Sequence, residues 1–121
     1  MVGTLGIEVL EAGPEVARAR VEAANRTKQP FGLVHGGLYA TVAETLTSVA
    51  TYAAVQADGM MAVGQSNYTT FLRPILDGYV HAEARRIHKG RTTWLWDVEC
   101  KDDEGRLCAI TRMTMAVRPA R

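Results

Sequence analysis

The sequence has 121 residues, of which 47% are hydrophobic and 22% are charged, and its formal net charge is +1. This length predicts one domain, residues 1–121, with one modest hydrophobic core. The near-neutral charge provides no field of the kind that nucleic-acid-binding proteins use, so no nucleic-acid partner is expected. The first residues include Glu8 and Glu11 and contain no basic segment followed by an apolar one. A secretory signal is therefore not predicted, and a cytoplasmic location is expected.

Two strands are predicted at the start of the chain. Leu5–Ala12 and Glu15–Ala23 flank a Gly-Pro turn, and the second strand alternates apolar with charged residues. This alternation is typical of a strand with one face on a core. A polar connection, Asn25–Val34, follows without clear periodicity.

A long and nearly uncharged segment comes next. From Gly36 to Ala57 the only charged side chain is Glu44, and apolar residues recur at helical spacing around more than half of the circumference. A helix of this kind is normally buried on most sides. A membrane span is disfavoured by Glu44 and by the frequent Thr and Ser residues, so no membrane partner is expected. We predict a central helix wrapped by a sheet.

Turn residues and alternation predict four further strands after the helix. They are Met60–Leu72, Tyr79–His88, Thr92–Lys101 and Leu107–Val117. The expected order is strand, strand, helix and then four strands in a meander. An antiparallel sheet must cover one apolar face, and this helix is its only available cover. The predicted fold class is α+β, with one long central helix wrapped by an antiparallel sheet of five to six strands.

Glu44 is the first candidate for a functional residue. A carboxylate on a buried helix costs free energy unless it is paired, and no Lys or Arg lies one turn away. Thr41, Thr45, Ser48 and Tyr52 share its helical face and form a narrow polar stripe. A structural glutamate held by a neighbouring hydroxyl, or one that faces water, is the alternative to a catalytic role.

The second candidate is the His35-Gly36-Gly37 triplet that opens the helix. N–H groups of a first turn lack intrahelical partners, and with the helix dipole they can stabilise a carbonyl oxygen that gains charge. Glycines let a ligand approach these groups, although they also permit a tight turn without any ligand. Gly36 and Glu44 lie about 12 Å apart along one helix, so only two antiparallel copies could present both to one carbonyl. An active site here predicts a homodimer.

Several segments resemble one family of enzymes over nearly the whole chain. These segments are QPFGLVHGG, VAETLTSVA, FLRPILDGYV, the HKGR turn and DDEGRLCAITRMTMAV. They resemble the hotdog-fold acyl-CoA thioesterases of the PaaI-like group, in the branch with a catalytic Glu. That branch contains the 4-hydroxybenzoyl-CoA, 1,4-dihydroxy-2-naphthoyl-CoA and enterobactin-proofreading thioesterases. The resemblance implies hydrolysis of an acyl-CoA thioester by a homodimer, with dimers that commonly pair into tetramers.

The resemblance also implies roles for the candidate residues. Glu44 of one subunit would act as nucleophile or general base on a carbonyl held by Gly36 and Gly37 of the other. Gln29 matches a family residue that hydrogen-bonds near the thioester carbonyl, and His35 matches a group that orients substrate or water. Ser48, one turn after Glu44, is expected to orient that carboxylate or the water.

Binding of the CoA portion is expected near a late cluster of basic residues, which consists of Arg73, Arg85, Arg86, His88, Lys89 and Arg91. Lys or Arg side chains beside turn N–H groups bind phosphates well, and the resemblance places the CoA nucleotide at this turn. A solvated basic edge that discourages strand pairing is the alternative. The expected substrate-binding residues are Phe71, Arg73, His88, Lys89, Gly90, Arg91 and Thr92. Phe71 also belongs to a set of residues that would either line an aromatic acyl pocket or fill the core, namely Phe31, Leu33, Tyr52, Tyr68 and Phe71.

Other chemistries are less well supported. Cys100 and Cys108 lie symmetrically about the turn at Glu104, but two small core residues are favoured over a redox pair. The spacing does not match a zinc site, so neither a metal nor a cofactor is predicted, because CoA is part of the substrate. A hotdog hydratase or dehydratase and a non-catalytic acyl-CoA-binding module are the alternatives. The nine-residue spacing from His35 to Glu44 resembles that of the thioesterases instead.

Overall fold

The computed structural model describes residues 6–23 and 36–120. Within them the chain forms one long helix and six strands: β1 (Glu8–Ala12), β2 (Val16–Glu22), α1 (Gly36–Val55), β3 (Met60–Phe71), β4 (Tyr79–Lys89), β5 (Thr93–Lys101) and β6 (Leu107–Pro119). A short 3-10 turn, Gln56–Asp58, ends α1, and Gly59 follows it with a positive φ of 73°. No helix in these two ranges has the length and hydropathy needed to cross a membrane.

The six strands form one antiparallel sheet in the order β1-β2-β4-β5-β6-β3. Helix α1 packs on one face of this sheet, and its largest set of contacts is with β3 and β6. The predicted hotdog architecture, a long central helix and an antiparallel sheet, is confirmed.

The expected four-strand meander is wrong in one respect. Strand β3 pairs with β6 at the edge of the sheet, while β4 pairs with β2 and β5. From β3 to β4 the chain must cross three strand spacings, or about 14 Å. The seven residues of segment 72–78 can span this distance because an extended residue covers about 3.3 Å. The segment is held to the sheet by Leu72 N and Arg73 N, which donate to Cys108 O at 2.8 and 3.1 Å.

The core lies between α1 and the inner face of the sheet. The predicted alternation is confirmed, since every second residue of β5 is buried, as are Val80, Ala82 and Ala84 of β4. Trp94 and Trp96 are the largest of these, and the Trp96 indole N–H donates to the Thr51 hydroxyl of α1 at 3.0 Å. This buried hydrogen bond connects the helix to the middle of the sheet.

Helix α1 buries one face rather than most of its circumference. The buried residues are Leu38, Tyr39, Val42, Ala43, Leu46, Thr47, Ala50, Thr51 and Val55. The opposite side exposes Glu44, Val49 and Tyr52. The expectation of a helix enclosed on most sides is therefore wrong for a single chain, and Glu44 faces solvent, which was one of the alternatives for it. The reason is that the sheet covers α1 from one side only.

Candidate active site

The first turn of α1 is open to ligands on one side. Gly37 is exposed, and a Cβ built on it would meet no atom of residues 6–23 and 36–120 within 4 Å. Gly36 is half-buried, because the Phe71 ring lies where its side chain would be, 3.0 Å from an added Cβ. No acidic residue lies in this turn to compensate the partial positive charge of the helix start. The turn can therefore present unpartnered N–H groups to an oxygen that carries negative charge.

Glu44 lies two turns further along the same unbroken helix. The side chain is exposed and forms no salt bridge with another residue of ranges 6–23 and 36–120. Its carboxylate rests on strand β3, where a Cβ added to Gly64 would lie 3.2 Å from Glu44 Oε2. Ser48, one turn on, is half-buried. Glu44 is thus an accessible carboxylate at the junction of the helix and the edge strand.

The two halves of this candidate site do not meet within one chain. Because α1 is continuous from Gly36 to Val55, Gly36 and Glu44 are separated by about 12 Å along the axis. A reacting carbonyl must lie within about 3 Å of both its hydrogen-bond donors and its attacking group. One chain therefore holds the parts of a site without assembling it.

Most of the expected CoA-binding residues lie at the other end of the molecule, beside the C-terminal end of α1. Lys89, Gly90 and Arg91 line a pocket of about 670 Å³ there, together with Trp94 and Asp58. The turn is tight, since Gly90 N donates to Thr93 O at 2.8 Å and the Arg118 guanidinium donates to Thr92 O at 2.7 Å. His88 is exposed, with its Nε2 3.1 Å from the position of an added Gly90 Cβ.

The predicted basic cluster is divided by the fold. Arg73 lies with Phe71 near the start of α1, at the end of the sheet opposite the Lys89–Thr92 turn. Arg85 pairs with Glu83 on the outer face of the sheet. Arg86 lies over the Trp94 ring and donates to Pro14 O at 2.9 Å, so its charge supports the β1–β2 turn. Lys89 and Arg91 form no salt bridge with other described residues.

Two of the expected site residues, Gln29 and His35, lie outside the described residues, as do Phe31 and Leu33 of the expected acyl pocket. Among the residues described, no group of three or more His, Cys, Asp or Glu is placed to hold a metal ion. Cys100 and Cys108 are buried free thiols. Burial, and secondarily the neighbouring Cys108, raises the pKa of Cys100 to about 12, so this thiol is a poor nucleophile at neutral pH.

Two neighbours of Glu44 were missed by sequence reasoning. Gly64 accommodates its carboxylate, and the Asn67 side chain donates from Nδ2 to Ala40 O, one helical turn before Glu44, at 2.9 Å. The available signal was a glycine within the predicted strand Met60–Leu72, since glycine in a strand often marks a bulge or a close approach.

Comparison with known proteins adds independent evidence. The model of the Thioesterase superfamily matches residues 31–109. The proofreading thioesterase EntH of Cronobacter turicensis is 37% identical over 117 residues, which cover 97% of this chain and 85% of that protein. Among solved structures, thioesterase HI1161 from Haemophilus influenzae has a TM-score of 0.91 and 35% identity, covering 98% of this chain and 82% of its own.

The crystal structure of a mutant of thioesterase PA1618 from Pseudomonas aeruginosa is also similar. Its TM-score is 0.93 at 40% identity, with 98% of this chain and 85% of that chain covered. The family match extends over more than half of the sequence, and these relatives are more than a third identical over nearly all of it. The chain therefore belongs to the thioesterase superfamily and is a thioester hydrolase of the hotdog fold.

Proposed function

We propose that the substrate is an acyl-CoA with an aromatic acyl group, and that Glu44 and the start of α1 carry out its hydrolysis. The main supporting observation is that one helix presents an accessible first turn at Gly36 and Gly37 and an accessible carboxylate at Glu44. In the overall reaction, an oxygen of water bonds to the acyl carbon and the C–S bond breaks. The products are a carboxylic acid and the CoA thiol.

The N–H groups of the first turn of α1 form the oxyanion hole. As the thioester carbonyl becomes tetrahedral, its oxygen gains negative charge, which these donors and the helix dipole stabilise. The glycines matter because a side chain at Gly37 would project into the space that the carbonyl must occupy, which the described residues leave free. Gln29 and His35, seven residues and one residue before Gly36 in the sequence, assist at the carbonyl and position the substrate.

The complete site needs a second copy of the chain. Strand β3 is a 12-residue edge strand whose residues are mostly exposed, and an edge of this length favours pairing with another strand. Along it, Gly64 contacts Glu44, Asn67 bonds to Ala40, and Phe71 contacts Gly36. A twofold axis near Asn67 would pair two β3 edges antiparallel and bring each Glu44 level with the helix start of the partner. Pairs of such dimers then form the tetramer.

Glu44 of the partner subunit acts on the carbonyl in one of two ways. As a general base it takes a proton from water, and the resulting hydroxide attacks the carbon. As a nucleophile it bonds to the carbon itself, giving an anhydride that water then hydrolyses. In both cases the departing thiolate is protonated, and Ser48 orients the carboxylate or the water.

The CoA portion binds in the pocket beside the Lys89–Thr92 turn. Lys89 and Arg91 supply positive charge, and the turn supplies a backbone cradle for phosphate. Asp58 is also part of the lining, and its charge disfavours an anion beside it, so the phosphates are expected next to Lys89 and Arg91. The antiparallel dimer directs this end of one protomer towards the helix start of the other, where Arg73 and Phe71 lie.

The aromatic preference rests on the surroundings of the helix start. The Phe71 ring is 58% exposed, lies against Gly36 and is in a tilted contact with Tyr39 at 6.1 Å between ring centroids. Tyr52, 49% exposed, lies on the same side of α1 as Glu44. Exposed rings of this kind can pack against an aromatic acyl group in offset or edge-to-face geometry.

The test is steady-state hydrolysis by the wild type, Glu44→Gln and Glu44→Ala. Turnover by both variants is expected to fall at least about a thousandfold, while size-exclusion chromatography and melting temperature remain as in the wild type. A panel of benzoyl-, hexanoyl- and palmitoyl-CoA is expected to give the highest kcat/KM for benzoyl-CoA. Wild-type turnover in Glu44→Gln would remove the assignment of Glu44, and a flat or long-chain profile would contradict the aromatic preference.

A further inference from the structure

The backbone conformation at Gly64 does not require a glycine. It lies inside β3, opposite Met115 of β6, on the side of the sheet that faces α1. Its φ is not among the positive values, which among the described residues occur at Gly6, Gly59, Gly78 and Gly105. Glycine within a strand lowers stability because it packs no side chain and costs backbone entropy. A compensating contact is therefore expected at this position.

The contact is with the end of the Glu44 side chain. A Cβ at Gly64 would lie 3.2 Å from Oε2, 3.4 Å from Cδ and 3.6 Å from Cγ of Glu44. The closest of these distances is shorter than an ordinary van der Waals contact between a methyl carbon and a carboxylate oxygen. Any residue other than glycine would thus displace the carboxylate, whereas glycine lets it lie against the strand.

A β-bulge reinforces this arrangement. The register between β3 and β6 shifts between Gly64 and Ser66, so that Gln65 is an extra residue in the edge strand. Bulges bend a strand locally and re-aim its side chains, and they are frequent beside active sites. Here the bulge immediately follows the residue against which Glu44 rests.

Asn67, on the other side of the bulge, holds the backbone of the same helical turn. Its Nδ2 donates to Ala40 O at 2.9 Å, and in an α-helix Ala40 O is also the acceptor for the N–H of Glu44. The amide orientation is fixed, because Asn67 Oδ1 accepts from the Thr69 hydroxyl at 2.7 Å. Thr69 is in turn 2.8 Å from the Thr111 hydroxyl of β6.

We infer that Gly64 and Asn67 are positioning residues for Glu44, which set the place of its carboxylate and of the turn that carries it. This inference rests on the proposed catalytic role of Glu44. Neither residue touches the substrate. Their effect is on kcat, because a catalytic group displaced by a fraction of an ångström loses much of its advantage while substrate binding is unchanged.

The central test combines two substitutions. Gly64→Ala is expected to lower kcat about tenfold and Gly64→Val about a hundredfold, with KM within about twofold of the wild type. In the Glu44→Asp background, where the carboxylate is one methylene shorter and withdraws from the strand, Gly64→Ala is expected to change kcat by less than about twofold. An equal loss of kcat in both backgrounds would overturn the inference, since the methyl group would then act independently of Glu44.

Controls separate positioning from folding. Melting temperatures of the Gly64 variants should stay within a few degrees of the wild type, because alanine in a strand restricts the unfolded chain. Ile110→Ala, at an exposed residue on the outer face of the neighbouring strand β6, should leave kcat and KM unchanged. Asn67→Asp keeps the shape of the side chain but loses its donor, and it should lower kcat with KM maintained. Wild-type kcat in both Gly64→Val and Asn67→Asp would refute the inference even if Glu44→Gln is inactive.

The same series distinguishes this inference from the proposed function. If Glu44→Gln retains wild-type turnover, the catalytic role of Glu44 and its positioning are both refuted. If Glu44→Gln is inactive and the two Gly64→Ala losses are equal, only the positioning by β3 is refuted.

Discussion

At the scale of single residues, the only carboxylate that is buried within ranges 6–23 and 36–120 belongs to Asp102. It is buried in the β5–β6 turn and accepts from Glu104 N at 3.0 Å, Arg106 N at 2.9 Å and Arg106 Nε at 2.7 Å. Burial acts to raise the pKa of Asp102, but the hydrogen bonds and charge of Arg106 outweigh it and hold the pKa below its usual value. The ionised form therefore stabilises the turn.

This carboxylate predicts a pH dependence of stability with a definite sign. A pKa that is lower in the folded state contributes stability above the unfolded value, near 3.9, and this contribution is lost as the pH falls through the folded pKa. Asp102→Asn should therefore lower the melting temperature at pH 7, and the gap from the wild type should narrow below about pH 4. Glu99→Gln, at an exposed carboxylate, is the control. A gap that is constant with pH would show that the charge of Asp102 contributes nothing.

The residue scale also shows what sequence reasoning can and cannot find. Gly36, Gly37 and Glu44 were identifiable because a glycine pair and a lone acid are unusual in an apolar helix. The contact of Gly64 with Glu44 was not, because it joins residues 20 positions apart through the packing of α1 on β3. The exposed side of α1 was missed for a related reason, since periodicity identifies an apolar helix but not how many of its sides the sheet covers.

At the scale of elements, α1 contains two fully buried threonines that face the sheet. The Thr51 hydroxyl donates to Thr47 O at 2.7 Å and accepts from the Trp96 indole at 3.0 Å. The Thr47 hydroxyl donates to Ala43 O at 2.8 Å, and its contact with the sheet is a 3.7 Å approach to the Met115 sulfur. Bonding to the preceding turn lets these polar residues occupy an apolar face. The predicted polar stripe around Glu44 did not include them.

The two threonines should differ in their contribution to stability. Thr51→Val leaves the Trp96 N–H buried without an acceptor, which should cost about 1–3 kcal/mol of unfolding free energy. Thr47→Val removes a donor but leaves no donor unpaired, so a cost below about 1 kcal/mol is expected. Equilibrium unfolding in urea measures both. Equal costs would show that the indole hydrogen bond is not what makes Thr51 important.

Element order was the hardest feature to derive from local patterns. The alternation of apolar residues correctly predicted which faces of β4 and β5 lie on the core, because large apolar residues such as Trp94 and Trp96 recur at every second position. The predicted place of β3 in the sheet was wrong because the seven-residue connection from β3 to β4 is long enough either to join neighbouring strands or to cross to the far edge of the sheet. The difference matters for the site, since only the edge position places β3 beside the exposed side of α1 and leaves its outer edge open.

At the scale of the whole molecule, the open edge of β3 and the exposed side of α1 form one continuous surface. It includes Glu44, Val49 and Tyr52 of the helix and the exposed Gly64 and Asn67 of the strand, which contact Glu44 and Ala40 of the helix. Burying such side chains against a second copy would be favourable by roughly 25 cal/mol for each Å² of apolar area. The same pairing would complete two catalytic sites, so stability of the assembly and activity are expected to depend on one interface.

Complementation between two inactive variants tests this arrangement directly. Glu44→Gln lacks the attacking group, and Gly36→Val blocks the helix start, where an added side chain also meets the Phe71 ring. If each site takes Gly36 from one subunit and Glu44 from the other, a mixed dimer contains one intact site and one doubly defective site. Random mixing makes about half of the dimers mixed, so refolding the two variants together should restore roughly a quarter of wild-type kcat per subunit. Sites built within one chain would restore none, because every chain in the mixture carries a defect.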